Sequence, residues 1–198
     1  KFDFLDLDHN TGRCNYGQLS SFSIEDLNQY SALVYPQVNS LGLLEDVDLL
    51  TDFCDDNRIR SIACIDPFLL GEGGLKPPVE FGRSGADFIA GDAQHLAIPP
   101  NFGGPGLGIF GCRHNDENKS DLRNTPGRYI GQAKDLNGRD CHVMVLSTRE
   151  QHIRKEKATS NVCSNQAFLA TLAGASILSQ GSKGLGEAVE LANRNQQK

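Results

Sequence analysis

Three short apolar segments constrain the fold of this chain more than any other feature. They are SALVY, SIACI and DFIAG, which span Ser31–Tyr35, Ser61–Ile65 and Asp87–Gly91. Each has the length and apolar content of a buried strand, and Pro36 ends the first of them. Apolar residues at helical spacing predict a helix over Leu44–Asn57. The order strand, helix, strand, connection, strand predicts an α/β fold with a mainly parallel sheet.

The second half of the chain predicts a different arrangement. RYIGQAKD and CHVMVLST flank Asn137-Gly138, so we predict a β-hairpin over 128–148 with a type I′ turn at this pair. A nearly all-round apolar segment from about Asn161 to Leu178 predicts a buried helix along the sheet. The small and polar residues 180–198 predict a frayed tail. A chain of 198 residues is expected to form a single domain over 1–198.

Charge and apolar content exclude two classes of partner. Lys and Arg number 19 against 25 Asp and Glu, which gives a net charge of −6. Nucleic acid is not expected to bind, because phosphate contacts need a basic face. The longest uncharged apolar segment, Phe168–Leu178, is shorter than the roughly 20 residues that cross a bilayer, so no membrane span is predicted.

The cysteines and histidines suggest neither a disulfide framework nor a metal centre. Six cysteines are scattered without a Cys-x-x-Cys pair, which favours a reduced, intracellular setting. Five histidines show no ligand spacing, so no metal site is predicted. No Ser, His and Asp arrangement typical of hydrolases stands out either.

Two features near the predicted strand ends are candidates for ligand binding. Asp66 follows SIACI and precedes Pro67, which places its carboxylate at the carboxyl edge of a parallel sheet, where α/β folds bind ligands. A turn or helix-cap role for Asp66 is an equal alternative. Gly103–Gly108 permits close backbone approach to a phosphate, but its spacing matches no phosphate-binding fingerprint, and a tight turn is the competing interpretation.

A dense charged run occupies Thr148–Asn161. In a helix, Arg149 and His152 would share one face, and Arg154 would add positive charge beside them. One interpretation is a solvated surface helix whose acidic residues pair with its basic ones. The other is a site that grips an anionic or protein partner.

Several long segments resemble one protein family. They read GADFIAGDAQHLAIPPNFGGPGLGIF, NTPGRYIGQAKDLNGRD and STREQHIRKEKATSNVCSNQAFLATLAG, with IDPFLLG and GGLKPPVEFGRSGADF upstream. Together they resemble the glycine decarboxylase family, the P-protein of the glycine cleavage system, from about Tyr35 to Ser179. The likeness is greatest to the first, non-lysine-bearing subunit of the two-subunit form.

The resemblance implies a fold and a fragment. It implies part of the large domain of the aspartate-aminotransferase-like, pyridoxal-phosphate (PLP)-dependent transferases (fold type I), with helices on both faces of the sheet. Family chains carry further N-terminal and C-terminal regions, so we expect this chain to be a piece of a longer protein. Apolar surface left uncovered by missing strands is expected to favour self-association.

The resemblance also implies where the cofactor is bound. In the catalytic half of the family a lysine before the glycine-rich loop holds PLP as a Schiff base. Here Gln94 lies at or beside that position, and an amide cannot form the bond. Asp66 matches the carboxylate that pairs with the pyridine nitrogen. With His95, these residues would form a vestigial pocket, so we expect no catalytic residue and no covalently bound cofactor in this chain, and PLP in a partner subunit.

The function implied is part of a glycine dehydrogenase (decarboxylating), an oxidoreductase. Such a chain would be inactive alone and would support glycine decarboxylation by a lysine-bearing subunit and aminomethyl transfer to the lipoyl H-protein, in the bacterial cytoplasm. Arg149, His152 and Arg154 would then line or brace the subunit interface. A catalytically inert scaffold or regulatory protein-binding domain is one alternative, and an independent PLP enzyme is another. Lys76 and Lys157 are given little weight as substitute nucleophiles.

Overall fold

The computed structural model of the protein describes residues 2–115, 119–125, 130–144, 151–158 and 166–196. The chain divides into two compact units, one formed by Lys1–Arg113 with Gln166–Lys198 and the other by His114–Asn165. A compact unit is not necessarily a separate domain, so the prediction of a single domain stays a prediction.

A four-stranded sheet forms the centre of the first unit. Its strands are β3 (Ala32–Pro36), β4 (Arg60–Ile65), β5 (Phe88–Asp92) and β6 (Gly108–Cys112), in that spatial order. The pairs β3–β4 and β4–β5 are parallel, whereas β5–β6 is antiparallel. A separate antiparallel pair, β1 (Leu7–Asp8) and β2 (Arg13–Cys14), precedes the sheet. The predicted mainly parallel sheet is therefore confirmed, with Pro36 as the last residue of β3.

Short helices connect the strands. Helix α1 (Ile24–Leu27) begins with a capping box between Ser23 and Asp26, which satisfies backbone N–H groups at the start of the helix. Helix α2 (Val47–Asn57) begins three residues later than predicted, because the Asp46 side chain caps it by accepting from the backbone N–H of Leu49. Helix α3 (Gln94–Ala97) follows β5, and single 3-10 helices cover Tyr16–Ser21, Pro67–Leu70 and Pro78–Glu80.

The longest helix, α6 (Ala167–Gln196), is broken by non-helical backbone at Gly181. Its buried residues Leu169, Ala173 and Leu185 pack with the region around α3. The prediction of an all-round buried helix was wrong, because Phe168 and Leu178 are 69% and 87% exposed, so apolar residues also lie on its open side. Residues after Gly181 are helical as far as Gln196, and whether this end frays in solution stays a prediction.

No helix among the described residues is long and apolar enough to span a membrane.

The second unit contains the predicted hairpin. Its elements are α4 (Lys119–Asn124), β7 (Ile130–Lys134), β8 (Asp140–Met144), α5 (Gln151–Arg154) and a 3-10 helix at Lys155–Lys157. The antiparallel β7–β8 pair confirms the hairpin, but the type I′ turn was wrong. The Asp135 carboxylate accepts from the backbone N–H groups of Asn137 and Arg139, and only Gly138 of the pair has a positive φ, of 77°. This closes a longer turn than a two-residue type I′ loop.

A buried carboxylate joins the N-terminal segment to the sheet. Glu45 is buried and accepts hydrogen bonds from the Tyr16 hydroxyl, from Asn39 Nδ2 at 2.8 Å and from the Cys14 backbone at 3.1 Å. Burial opposes its charge, but these hydrogen bonds together hold the pKa of Glu45 below its usual 4.5. Burial and then the hydrogen bond to Glu45 raise the pKa of Tyr16 to about 12.

This pair gives the chain two pH limits that can be measured. Because the folded pKa of Glu45 is lowered, its stabilisation is complete above about pH 4.5 and is lost as the pH falls. Because the folded pKa of Tyr16 is raised, its stabilisation is complete below pH 10 and is lost toward about 12. We expect Glu45→Gln to reduce the loss of unfolding free energy at acidic pH, because the titrating carboxylate is gone. We expect Tyr16→Phe to reduce the loss at alkaline pH in the same way. Denaturant titration across the pH range measures both. If the pH dependence of the unfolding free energy were unchanged in both variants, this assignment would be contradicted.

Candidate functional site

A cavity opens where three strands of the sheet reach their carboxyl ends. Its volume is about 350 Å³, at the small end of ligand pockets. It lies at the position where parallel strands of α/β folds bind ligands. The described residues that line it come from the ends of β3, β4 and β5 and from α3: Pro36, Val38, Cys64, Ile65, Asp66, Asp92 and His95.

Asp66 and His95 form the polar centre of this cavity. Nε2 of His95 lies 2.9 Å from Oδ1 of Asp66, so the imidazole donates its N–H to the carboxylate. Nδ1 of His95 lies 3.9 Å from Oδ1 of Asp92. The Phe68 ring packs edge-to-face against the imidazole with centroids 5.9 Å apart. The histidine is thus held by groups on three sides, and both ring nitrogens face carboxylates.

The structure confirms the helix-cap interpretation of Asp66, whereas ligand binding by Asp66 stays a prediction. Asp66 follows β4, and its Oδ1 accepts from the backbone N–H of Phe68 at 2.9 Å, which caps the 3-10 helix Pro67–Leu70. The same carboxylate also lines the cavity. The same oxygen accepts from Nε2 of His95, so the cap and the histidine together fix the direction of the side chain.

Gln94 has a different role from its neighbour. Its Nε2 donates to the carbonyl oxygens of Ile98 and Pro99 at 2.9 and 3.0 Å, and it is not among the residues that line the cavity. Adjacent residues of a helix point about 100° apart, and of these two only His95 lines the cavity. The structure places His95 there and uses Gln94 to hold the start of the following loop.

Asp92 and Cys64 are lining residues that sequence reasoning missed. Asp92 is the last residue of β5, and its Oδ1 accepts from the backbone N–H of Gln94 at 2.9 Å. Its place at the end of a strand next to the one that carries Asp66 was a usable signal. Cys64 has a thiol whose pKa is raised by burial, so it lines the cavity in its neutral form and not as a nucleophile.

The remaining candidates are not among the described residues that line this cavity. Lys76 pairs with Asp48 through Nζ–Oδ contacts of 2.7 and 2.9 Å. Arg149 lies outside the described residues. His152 lies in α5, and Arg154, the last residue of that helix, is exposed. The described side chains of 151 and 153–157 are exposed, as the solvated interpretation predicts. A single continuous helix was wrong, because α5 gives way to a 3-10 helix at Lys155, whose φ is +52°.

The glycine-rich loop forms a turn that its own hydrogen bonds close. Asn101 Nδ2 donates to the Pro105 carbonyl at 2.9 Å, and the Gly104 N–H donates to the Asn101 carbonyl at 3.0 Å. These bonds close the loop on itself, as the tight-turn alternative predicted.

The cavity does not fit PLP as a covalently held cofactor. Among the described residues that line it there is no lysine to bind the aldehyde and no arginine or lysine to pair with the phosphate. Two carboxylates line it instead, which repel an anionic ligand. Asp66 alone among the described lining residues would suit the cofactor, as the partner of its pyridine nitrogen.

Comparison with known proteins relates this chain to one family. Residues 14–198 match the family described as glycine cleavage system P-protein. A relative from Nitrosomonas europaea named "Probable glycine dehydrogenase (decarboxylating) subunit 1" is 42% identical over 163 residues, which are 82% of this chain and 34% of that protein. The chain therefore spans about a third of the length of this relative.

Solved structures agree on the fold. The crystal structure of a glycine decarboxylase (P-protein) of the glycine cleavage system in inhibitor-bound form superposes with a TM-score of 0.71 at 34% identity, covering 83% of this chain and 36% of that one. A cysteine desulfurase from Thermococcus onnurineus matches with a TM-score of 0.51 at 18% identity, covering 94% and 40%. The expected fold class, part of the large domain of a fold type I PLP-dependent transferase, is confirmed.

Proposed function

Since the chain belongs to the glycine cleavage system P-protein family, we propose that it is part of the subunit of glycine dehydrogenase (decarboxylating) that carries no cofactor-anchoring lysine. In this role it supports the decarboxylation of glycine by a lysine-bearing partner subunit and has no catalytic residue of its own. The observation that carries the proposal is the cavity at the carboxyl edge of the sheet, where His95 faces Asp66 and the described lining holds no lysine.

PLP is then bound by the partner subunit. The chemistry that PLP supplies there is that of an electron sink for the carboxylate loss from glycine. In this chain the same region of the fold keeps Asp66, whose carboxylate accepts a hydrogen bond from His95. The family fold is retained, while the groups that would hold the cofactor are not present in the described lining.

The remaining partners follow from the same proposal. The aminomethyl product passes to a lipoyl H-protein, and the assembly works in the cytoplasm. Arg149, His152 and Arg154 lie on the surface that meets the lysine-bearing subunit, where a guanidinium offers a fixed fork of donors to carboxylates. The exposed Arg154 is available for such a contact, and the other two remain predictions from the sequence.

Mixing this chain with the lysine-bearing subunit tests the proposal. We expect co-purification of the two and no site-specific visible PLP absorption from this chain alone, because its cavity lining offers no amine. Asp66→Asn is the matched control, since a cofactor band at the site would depend on this carboxylate whereas PLP on surface lysines would not. Arg149→Glu is expected to weaken co-purification.

Three outcomes are distinguishable. Co-purification without a band on this chain supports the proposal. A band on this chain that Asp66→Asn shifts or removes indicates an independent PLP enzyme and contradicts the proposal. Neither a band nor co-purification favours the inert scaffold.

A further inference from the structure

The turn between β7 and β8 contains the only asparagine of this sequence that is followed by glycine. Both Asn137 and Gly138 are exposed. The backbone N–H of Asn137 donates to the Asp135 carboxylate at 2.8 Å, but its side-chain amide is hydrogen-bonded to none of the residues that the structure describes. The amide group is therefore open to solvent and free to rotate.

An unrestrained asparagine amide reacts with the backbone nitrogen of the residue that follows it. The nitrogen of Gly138 attacks Cγ of Asn137, and its proton passes through water to the side-chain nitrogen, which leaves as ammonia. A cyclic imide remains. One water molecule then adds to either of its two carbonyl carbons and opens the ring, so that position 137 becomes aspartate or isoaspartate. Nothing is oxidised or reduced, and this lability makes asparagine one of the thermolabile residues.

Glycine at position 138 favours this ring closure. Because it has no Cβ atom, its nitrogen is not shielded and its backbone turns freely. In the folded turn the Gly138 N–H donates to the Asp135 carbonyl at 3.0 Å, and this bond must open before the nitrogen attacks. Exposed backbone hydrogen bonds open at little cost in free energy. The fold therefore protects Asn137 only weakly.

Two other asparagines each lack one of these features. Asn39 precedes a serine, and its Nδ2 donates to the Gly12 carbonyl and to the Glu45 carboxylate at 2.8 Å each, so its amide is held. Asn10 is exposed, like Asn137, but it precedes the β-branched Thr11, which crowds the attacking nitrogen. Exposure, a free amide and a following glycine therefore coincide at Asn137 and at neither of these positions.

We propose that Asn137 is a site of spontaneous deamidation, and that the reaction loosens the β7–β8 hairpin from its turn. The isoaspartate product inserts one further atom into the backbone between positions 137 and 138. The Asp135 carboxylate accepts from the N–H groups of Asn137 and Arg139 at 2.8 and 2.9 Å, and the longer backbone changes the spacing of these two donors. Either product also places a second carboxylate beside Asp135, where like charges repel. The inference does not rest on the proposed function.

The test incubates the unmodified chain and Asn137→Gln at mildly alkaline pH, both folded and unfolded in urea. Peptide mapping by mass spectrometry follows the conversion of each asparagine, and labelling by an isoaspartyl methyltransferase identifies isoaspartate. In the folded chain we expect position 137 to convert at least about tenfold faster than Asn10 and Asn39, because only Asn137 precedes glycine. We expect folding to slow this conversion by less than about tenfold, because the turn opens easily.

The variant and the modified protein complete the test. Asn137→Gln should abolish the product at this position without disturbing the turn, since the Asn137 amide makes no hydrogen bond to the described residues and a longer side chain closes the ring slowly. The modified chain, separated by its added negative charge, should exchange the backbone hydrogens of β7 and β8 faster than the unmodified chain does.

Each result decides the inference. Conversion at position 137 no faster than at Asn10 overturns the site, and so does protection by folding of more than about tenfold, because the Gly138 hydrogen bond would then block the attack. A deamidation product that persists at the same rate in Asn137→Gln would come from another residue and would also contradict it. Unchanged hydrogen exchange in the modified hairpin would overturn the loosening.

Discussion

Replacing Asp87 with alanine should lower the free energy of unfolding by about 3–5 kcal/mol. Asp87 is 5% exposed at the entry to β5. Its Oδ2 accepts from the backbone N–H of Ser61 at 3.0 Å, and its Oδ1 accepts from an Arg113 N–H at 3.0 Å. Alanine would leave a buried amide and an arginine without this carboxylate, and both are costly inside a protein.

The matched control is Asp140→Ala in the hairpin. Asp140 also pairs with a cation, with 2.6 Å to Lys134 Nζ, but its side chain is 80% exposed. Exposed pairs contribute about 0–1 kcal/mol, so this variant should unfold almost as the unmodified chain does. Denaturant titration of both variants measures the difference. A loss at Asp87 no greater than that at Asp140 would show that the buried network does not stabilise the sheet.

Replacing Gly186 with alanine should lower the free energy of unfolding by about 1–3 kcal/mol. A Cβ atom there would overlap the carbonyl oxygen of Glu72, and one at Gly71 would lie 2.6 Å from the Gly186 backbone nitrogen. The Glu72 N–H also donates to the Ser182 carbonyl at 2.9 Å. Helix α6 therefore packs backbone to backbone against the segment that follows Asp66, and a methyl group must push the two apart.

The same substitution at Gly174 should have the opposite sign. Gly174 lies in the same helix, but an added Cβ atom has no neighbour within 4 Å. Alanine should raise the free energy of unfolding there by about 0.5–1 kcal/mol, because glycine is a poor helix residue. Thermal or denaturant unfolding of both variants tests this pair. If alanine changed the unfolding free energy in the same direction at both positions, close backbone packing at Gly186 would not determine the effect of the substitution there.

Much of the local structure could be predicted from the residues. The β3, β4 and β5 strands and the hairpin were predicted because each depends on neighbours in the sequence. The antiparallel direction of β6 and the solvent-exposed side of α6 were not predicted. They depend on which surfaces meet after the chain has folded, and an apolar segment such as LGIFGC carries no mark of its direction.

The candidate site shows the same division. Asp66 was predicted at the carboxyl edge because it follows a strand, and the family resemblance drew attention to Gln94 and His95. Only the structure decides that His95 faces Asp66 while Gln94 holds the loop, since that depends on the rotation of a single helical turn.

By itself, the sequence determined the family, the order of strands and helices, and the positions of turns that contain glycine and proline. These depend on short-range spacing and composition. The tertiary structure alone decided two things: which of two adjacent side chains enters the cavity, and where two glycine backbones touch. Contacts between segments distant in the chain set each of these, and no local pattern encodes them.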